Sequence, residues 1–213
     1  MFSTVPNQEL AQLLPYMNET FGNTYYLLGA NRAWPQKMFQ AAEPMIAALG
    51  GRVVGKEFTT GNEKDFAPLI ARIAAAKPKV LLFALKGDGL NFIPQADDLG
   101  LFRNTTVAFL GLSETDLSVF HGKGQNMFVV VPFVASSDAP AAQAFVAKVK
   151  AEAGPDTTVS NYVMTHYNAL MAMKAALEKA GKIDKESMID ALEGLTIDSP
   201  TGTVTIGKIT MPR

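Results

Sequence analysis

Apolar positions in the first half of the chain switch repeatedly between two periods. Leu10, Leu13, Leu14 and Met17 recur at helical spacing and predict a helix over 7–21, with Asn7 placed to cap it. TYYLLGA (24–30) is uncharged and predicts a buried strand. A helix is expected from about Pro35, a good first-turn residue, to Leu49, where Gly50 and Gly51 stop it. RVVGKEF (52–58) reads as a strand and DFAPLIARIAAAK (65–77) as a helix. KVLLFAL (79–85) is a strand, and Leu90 to Asp98 a helix ending at Gly100. TTVAFLG (105–111) is a strand, and SETDLSVF (113–120) a short helix with Ser113 as its cap. Strands of near-continuous apolar character, each followed by a helix, call for a mostly parallel sheet covered on both faces, a doubly wound α/β fold.

After residue 125 the rhythm changes. NMFVVVPF (126–133) reads as one more strand, and then helices succeed one another with no strand between them. The first spans about 139–153, capped by Asp138 and stopped at Gly154. The second runs from Asn161 to Ala180, with Val163, Tyr167, Leu170, Met173 and Leu177 on one stripe expected to be buried. KESMIDALEGL (185–195) is a third. In TIDSPTGTVTIG, Pro200 and Gly202 suit a tight turn between two short extended pieces. The expected organisation is therefore a lobe over 1–125, a crossover strand with helices over 126–195, and a return segment over 196–213. The helices of the middle segment belong to a second lobe most of whose strands are not found in the sequence.

Composition narrows the chemistry. Lys and Arg total 19 against 20 Asp and Glu, so no basic stripe is available to hold nucleic acid. Cysteine is absent, which removes disulfides, thiolate metal sites and cysteine nucleophiles together. The two histidines, His121 and His166, are too few for a histidine-rich metal site, and no cofactor is implied. His166 falls in mid-helix and His121 in a glycine-flanked loop, both ordinary structural positions. The first residues, MFSTVPNQELAQ, have no basic start and do not read as a signal peptide. No stretch reaches the roughly 18 uncharged apolar residues that a spanning helix needs.

Catalytic signatures fail at specific positions. GDGLNF (87–92) and GKGQNM (122–127) each miss the final glycine of a dinucleotide loop, and no Gly-Lys-Ser/Thr phosphate loop occurs. GLSET (111–115) comes after a strand and opens a helix as a nucleophile elbow does, but lacks the closing glycine. A helix cap is the commoner role for such a serine.

The residues just past the strand ends are more informative. Asn31, Arg32 and Trp34 come after the first strand, Lys86 and Asp88 after the third, and Ser113 and Glu114 after the fourth. In an open α/β sheet, ligands bind outside the carboxyl ends of the strands. The three clusters would meet on one edge, with an aromatic face, hydrogen-bond donors and carboxylates. That mixture suits a small polar ligand held by contacts and not by covalent chemistry.

The ordered set YYLLGANRAWPQKMFQAAEPMIAALGGRVVGKEF, DFAPLIARIAAAKPKVLLFALKGDGLNFIPQADDLGL, GLSETD, FVVVPFVASSDAPAAQAFVAKVKAEAG, SNYVMTHYNALMAMKAALEKAG and IDSPTGTVTI resembles periplasmic solute-binding proteins of the branched-chain amino acid and short-chain amide ABC transporter type. The resemblance implies two α/β lobes that close on a small amino acid, amide or organic acid and deliver it to an ABC permease in the periplasm. It implies no catalytic activity. It places Trp34 and Arg32 against the ligand, although many members carry tyrosine where Arg32 stands. Lys86 to Asp88 and Ser113 to Glu114 correspond to further contacts. Residues 1–125 would be the second lobe, and a first lobe of on the order of 100 residues would be largely absent. The uncovered helices would then favour self-association, and this half alone would bind its ligand weakly or not at all. The same residues allow two rival readings: a sensor or regulatory ligand-binding domain on the same fold, and a serine hydrolase-like enzyme using Ser113.

Overall fold

The computed structural model describes residues 5–60 and 63–207. The chain divides into two compact units, one ending at Val131 and the other beginning at Pro132. The last part of the expected 196–213 segment, residues 208–213, lies outside the described residues, as do the first four positions of the N-terminal reading.

The first unit runs α1 (Pro6–Thr20), β1 (Thr24–Ala30), α2 (Ala33–Ala48), β2 (Arg52–Thr59), α3 (Ala67–Ala76), β3 (Val80–Ala84), α4 (Phe92–Asp98), β4 (Thr106–Phe109) and β5 (Met127–Val129). Short 3-10 turns at Gly87–Asn91, Leu101–Arg103 and Glu114–Phe120 precede α4, β4 and β5. All five strands pair in parallel in the order β2-β1-β3-β4-β5. The central strands are buried on both faces, which is why their sequences are continuous apolar runs. The strand expected at 126–133 is shorter and forms the edge of this sheet, next to β4.

Side chains alternate across the sheet and build two cores. Tyr25, Leu27, Val80, Leu82 and Ala108 pack on one face with Leu10, Leu13, Leu14 and Met17 of α1 and Met38, Phe39, Ala42 and Ile46 of α2. Tyr26, Leu28, Leu81, Phe83 and Phe109 pack on the other with Leu69, Ile70 and Ile73 of α3 and Phe92, Ile93 and Ala96 of α4. Each fully buried large apolar side chain contributes about 1.5–3 kcal/mol.

Two helix caps differ from expectation, for one reason. A proline lacks the N–H that would go unpaired in the first turn, so it takes the first helical position and displaces the polar residue expected to cap. At α1 Pro6 is first and Val5 is the N-cap, leaving Asn7 inside the helix; the Val5 N–H donates instead to Oε1 of Gln8, 3.2 Å away. In the second unit, Pro140 opens α5 (Pro140–Ala153), Ala139 is the N-cap, and Asp138 lies outside it.

The second unit continues with α6 (Asn161–Ala180), α7 (Lys185–Leu192), β6 (Thr196–Ser199) and β7 (Gly202–Thr205), the last two an antiparallel hairpin. Phe133, Ala142, Phe145, Val159 and Met164 form its core, with Val163 and Tyr167 packed against it. The orientation of α6 corrects the expected stripe. Its buried face is Asn161, Met164, Thr165, Asn168, Ala172 and Ala176. Leu170 is 66% exposed and Met173 49%, on the opposite side. Small and polar residues face inward, and Asn168 among them donates to Ser199 Oγ of β6 at 2.9 Å, tying the helix to the hairpin.

Among the described residues, no helix is long and apolar enough to cross a membrane.

Candidate functional site

The order β2-β1-β3-β4-β5 fixes where the sheet can hold a ligand. From β1 the chain steps outward to β2 through α2, on one face; from β3 it steps the other way to β4 through α4, on the opposite face. The connections leaving β1 and β3 therefore part at their carboxyl ends, and such a switch point opens a crevice. Asn31, Arg32 and Trp34 leave β1, and Lys86 and Asp88 leave β3, so two of the three expected clusters flank it.

The first cluster lies in the start of a helix, two residues earlier than expected. Arg32 is the N-cap of α2 and Trp34 its second residue. Gly29 makes this possible: a Cβ there would stand 2.8 Å from Cβ of Pro35 and 2.9 Å from Cε2 of Phe39. Without a side chain at 29, the first turn of α2 settles onto the end of β1 and carries Trp34 over the sheet edge. The Asn31 N–H donates to the Thr59 carbonyl at 2.8 Å, and its Oδ1 accepts from Gln36 Nε2 at 2.8 Å. Asn31 is thus committed to ordering the turn, while the Arg32 N–H donates to the Ala30 carbonyl at 2.7 Å and its side chain makes no capping bond.

The indole reaches the residue just past the end of β4. A Cβ built on Gly111, just past β4, would lie 3.2 Å from Cη2 and 3.6 Å from Cζ2 of Trp34, and 3.8 Å from Cε of Lys86. Trp34 and Lys86 therefore both approach Gly111, just past the end of β4. Trp34 remains 44% exposed, leaving ring surface open for stacking.

Lys86 is tied down by a residue that was not among those expected from the sequence. Its Nζ lies 2.5 Å from Oδ2 of Asp116, and the same oxygen accepts the Ser113 N–H at 2.9 Å. Ser113 and Asp116 stand at the start of the 3-10 turn Glu114–Phe120 in the Ser-x-x-acid spacing of a capping box, a signal present in the sequence. Ser113 is buried, and its hydroxyl accepts from the Thr115 hydroxyl at 3.2 Å. A serine nucleophile needs a general base in that place. Asp88 is exposed in the Gly87–Asn91 turn, and Glu114 is half-buried where the later turn begins. At the end of β2, Thr59 keeps a buried hydroxyl that has no hydrogen-bond partner among the described residues.

The two histidines lie apart from this arrangement in role. His121 is exposed at the end of the Glu114–Phe120 turn; His166 is exposed on α6, its Nδ1 2.7 Å from the Tyr162 carbonyl. Among the described residues no group of three potential ligands could hold a metal ion.

The chain matches the family model described as "Periplasmic binding protein" over residues 1–210. It is 28% identical over 179 residues to the Leu/Ile/Val-binding protein BraC3 of Rhizobium johnstonii, an alignment covering 83% of this chain and 48% of that protein. Its fold is similar to a solute-binding protein of an ABC transporter from Rhodopseudomonas palustris HaA2 in complex with p-hydroxybenzoic acid, with a TM-score of 0.86 at 20% identity. It is also similar to the leucine-, isoleucine-, valine-, threonine- and alanine-binding protein from Brucella ovis, with a TM-score of 0.83 at 20% identity. These matches cover 97% and 95% of this chain but 58% and 53% of the solved chains, so the chain spans about half the length of the relatives it matches. A parallel sheet with its polar groups gathered at one carboxyl edge and a family match along almost the whole sequence lead to one conclusion: the chain belongs to the periplasmic binding protein family.

Proposed function

We propose that the chain binds a small carboxylate-bearing solute, an amino acid or an aromatic acid, as the solute-binding component of an ABC importer working in the periplasm. The observation that carries this reading is the approach of both Trp34 and Lys86 to Gly111, beside the point where the connections of the sheet part. An open ring face, with Arg32 at the end of β1 and the Asp116-paired Lys86 at the end of β3, suits a ligand with an apolar body and an anionic end. The 28% identity to a Leu/Ile/Val-binding protein supports the amino acid, and the likeness to the p-hydroxybenzoic acid complex supports the aromatic acid. The unit ending at Val131 corresponds in this reading to the second lobe, supplying one wall of the site. A first lobe closing over it makes contacts absent in the open form, so the ligand draws the equilibrium toward closure, and an ABC permease receives the loaded form.

Trp34 is the chain's only tryptophan, so its emission reports on this wall directly. Titration with leucine, isoleucine, valine, benzoate and p-hydroxybenzoate, followed by fluorescence and by calorimetry, should give a saturable change with at least one of them. No saturable change in emission and no binding heat with any of the five would remove the reading.

A further inference from the structure

We propose that Gly111, flanked by the Lys86 stem, is the positioning residue that seats the Trp34 indole at the sheet edge. Its weight for ligand binding rests on the function proposed above, but the seating itself is a property of the ligand-free chain. Gly111 has φ of +69°, in the left-handed region, and its missing side chain leaves room for the benzo edge of Trp34, with Cε of Lys86 at ordinary contact distance, 3.8 Å from a Cβ built there. A contact of 3.2 Å is closer than carbon atoms prefer, so a Cβ at 111 makes the ring give by a few tenths of an ångström.

Three segments set the surroundings of the ring, which stays 44% exposed. Pro35, the next residue, is buried, and it packs where Gly29 lets α2 approach β1. Lys86 closes the side toward β3, held there by Asp116, which the Ser113 backbone anchors in turn. Bare backbone at Gly111 forms the seat. Elements separated by about eighty residues of sequence thus determine one indole orientation, and ligand discrimination depends on it, because an aromatic or branched solute stacks only on a ring held at fixed height.

The test uses emission and quencher access of Trp34 in the chain without ligand. Gly111→Ala is expected to shift the emission maximum and raise quenching, and to weaken the responsive solute of the panel by about tenfold. Gly122→Ala is the control, since Gly122 has a similar φ of +76° with nothing within 4 Å; it carries the backbone cost alone and should leave the emission unchanged. If Gly111→Ala does not fold, Lys86→Ala, which removes the flanking stem, should shift the emission. Emission and quenching of the folded Gly111→Ala variant, or failing that of Lys86→Ala, that superpose on those of the unsubstituted chain overturn the proposal. A shift in a chain that answers to none of the five solutes upholds the seating and removes the binding function instead.

Discussion

The Lys86 ammonium and the Asp116 carboxylate form an ion pair that joins the end of β3 to the turn after β4, and the shared oxygen also holds the Ser113 N–H. One acceptor thus serves a charged and a backbone donor belonging to two different segments. Removing it releases both. Asp116→Ala should lower stability by about 1–2 kcal/mol, the sum of a backbone hydrogen bond and a partly exposed pair. Asp116→Asn keeps an acceptor for the amide and should cost less. Urea denaturation of the two variants beside the parent chain checks the order, and the gap between parent and Asp116→Asn should narrow in high salt.

The close fit of α2 on β1 makes a sharper demand on Gly29. With Pro35 and Phe39 at 2.8 and 2.9 Å from a built Cβ, Gly29→Ala cannot be absorbed without displacing the first turn of α2. Overpacking of this kind costs about 1–3 kcal/mol. The expected result is a lower thermal midpoint together with altered Trp34 emission, because Trp34 rides on the displaced turn. A destabilised variant with unaltered emission would show that the strain is taken up within the Phe39 core.

Much of the first unit was legible in the sequence because its strands are buried on both faces. An uncharged run such as TYYLLGA has one plausible fate, and the helices between such runs force parallel pairing. Residues at the strand ends were legible as a group for the same reason. Relations between segments were not legible. Nothing local in GANRAW says that the indole reaches Gly111, and nothing near Lys86 says that Asp116 answers it. The strand order, which locates the crevice between β1 and β3, comes from pairing alone. Local competition explains the misplaced caps, where Pro6 and Pro140 prevailed over Asn7 and Asp138.

Acid should act on a second charged cluster, away from the candidate site. Arg72 donates from Nε and Nη2 to Glu57, with Nη2 2.7 Å from Oε2, and the Tyr26 hydroxyl donates to the other carboxylate oxygen. The Arg72 hydrogen bonds hold the Glu57 carboxyl below its ordinary value, with the Tyr26 bond assisting against the cost of burial. The folded state therefore binds the proton less readily than the unfolded chain. This stabilisation is present above the ordinary glutamate pKa and is lost as pH falls through the lower folded value. Glu57→Gln should be destabilising in urea at neutral pH, and the difference from the parent should shrink as the pH is taken into the acid range. A difference that stays constant with pH would mean that the carboxylate charge is not its source.

Alkali should act through Tyr25, whose phenol is buried, donates to the Leu14 carbonyl at 3.3 Å, and is pushed up to about 12 by burial. Here the folded state holds the proton more tightly. The contribution is complete below the ordinary phenol pKa and is lost as pH rises through about 12. Tyr25→Phe removes the ionisable group, and its stability should fall less steeply than that of the parent as pH rises above the ordinary phenol range. Phenolate absorbance followed alongside unfolding should show this tyrosine ionising late.

The two sides of α6 make opposite predictions under the two ways of reading it. An apolar stripe through Leu170 and Met173 would ordinarily be core, and charging it would cost several kcal/mol. In the structure Leu170 is 66% exposed while Ala172, two residues on, is 1% exposed against the helix's inner neighbours. Leu170→Glu should therefore change stability by no more than about 0.5 kcal/mol, as exposed substitutions do, and should lower the binding of a hydrophobic dye. Ala172→Leu adds three carbons to a filled site and should cost about 1–3 kcal/mol. Urea midpoints that rank the two substitutions the other way would place the apolar stripe inward and the Asn168–Ser199 contact outside the core, because a helix cannot bury both faces against one hairpin.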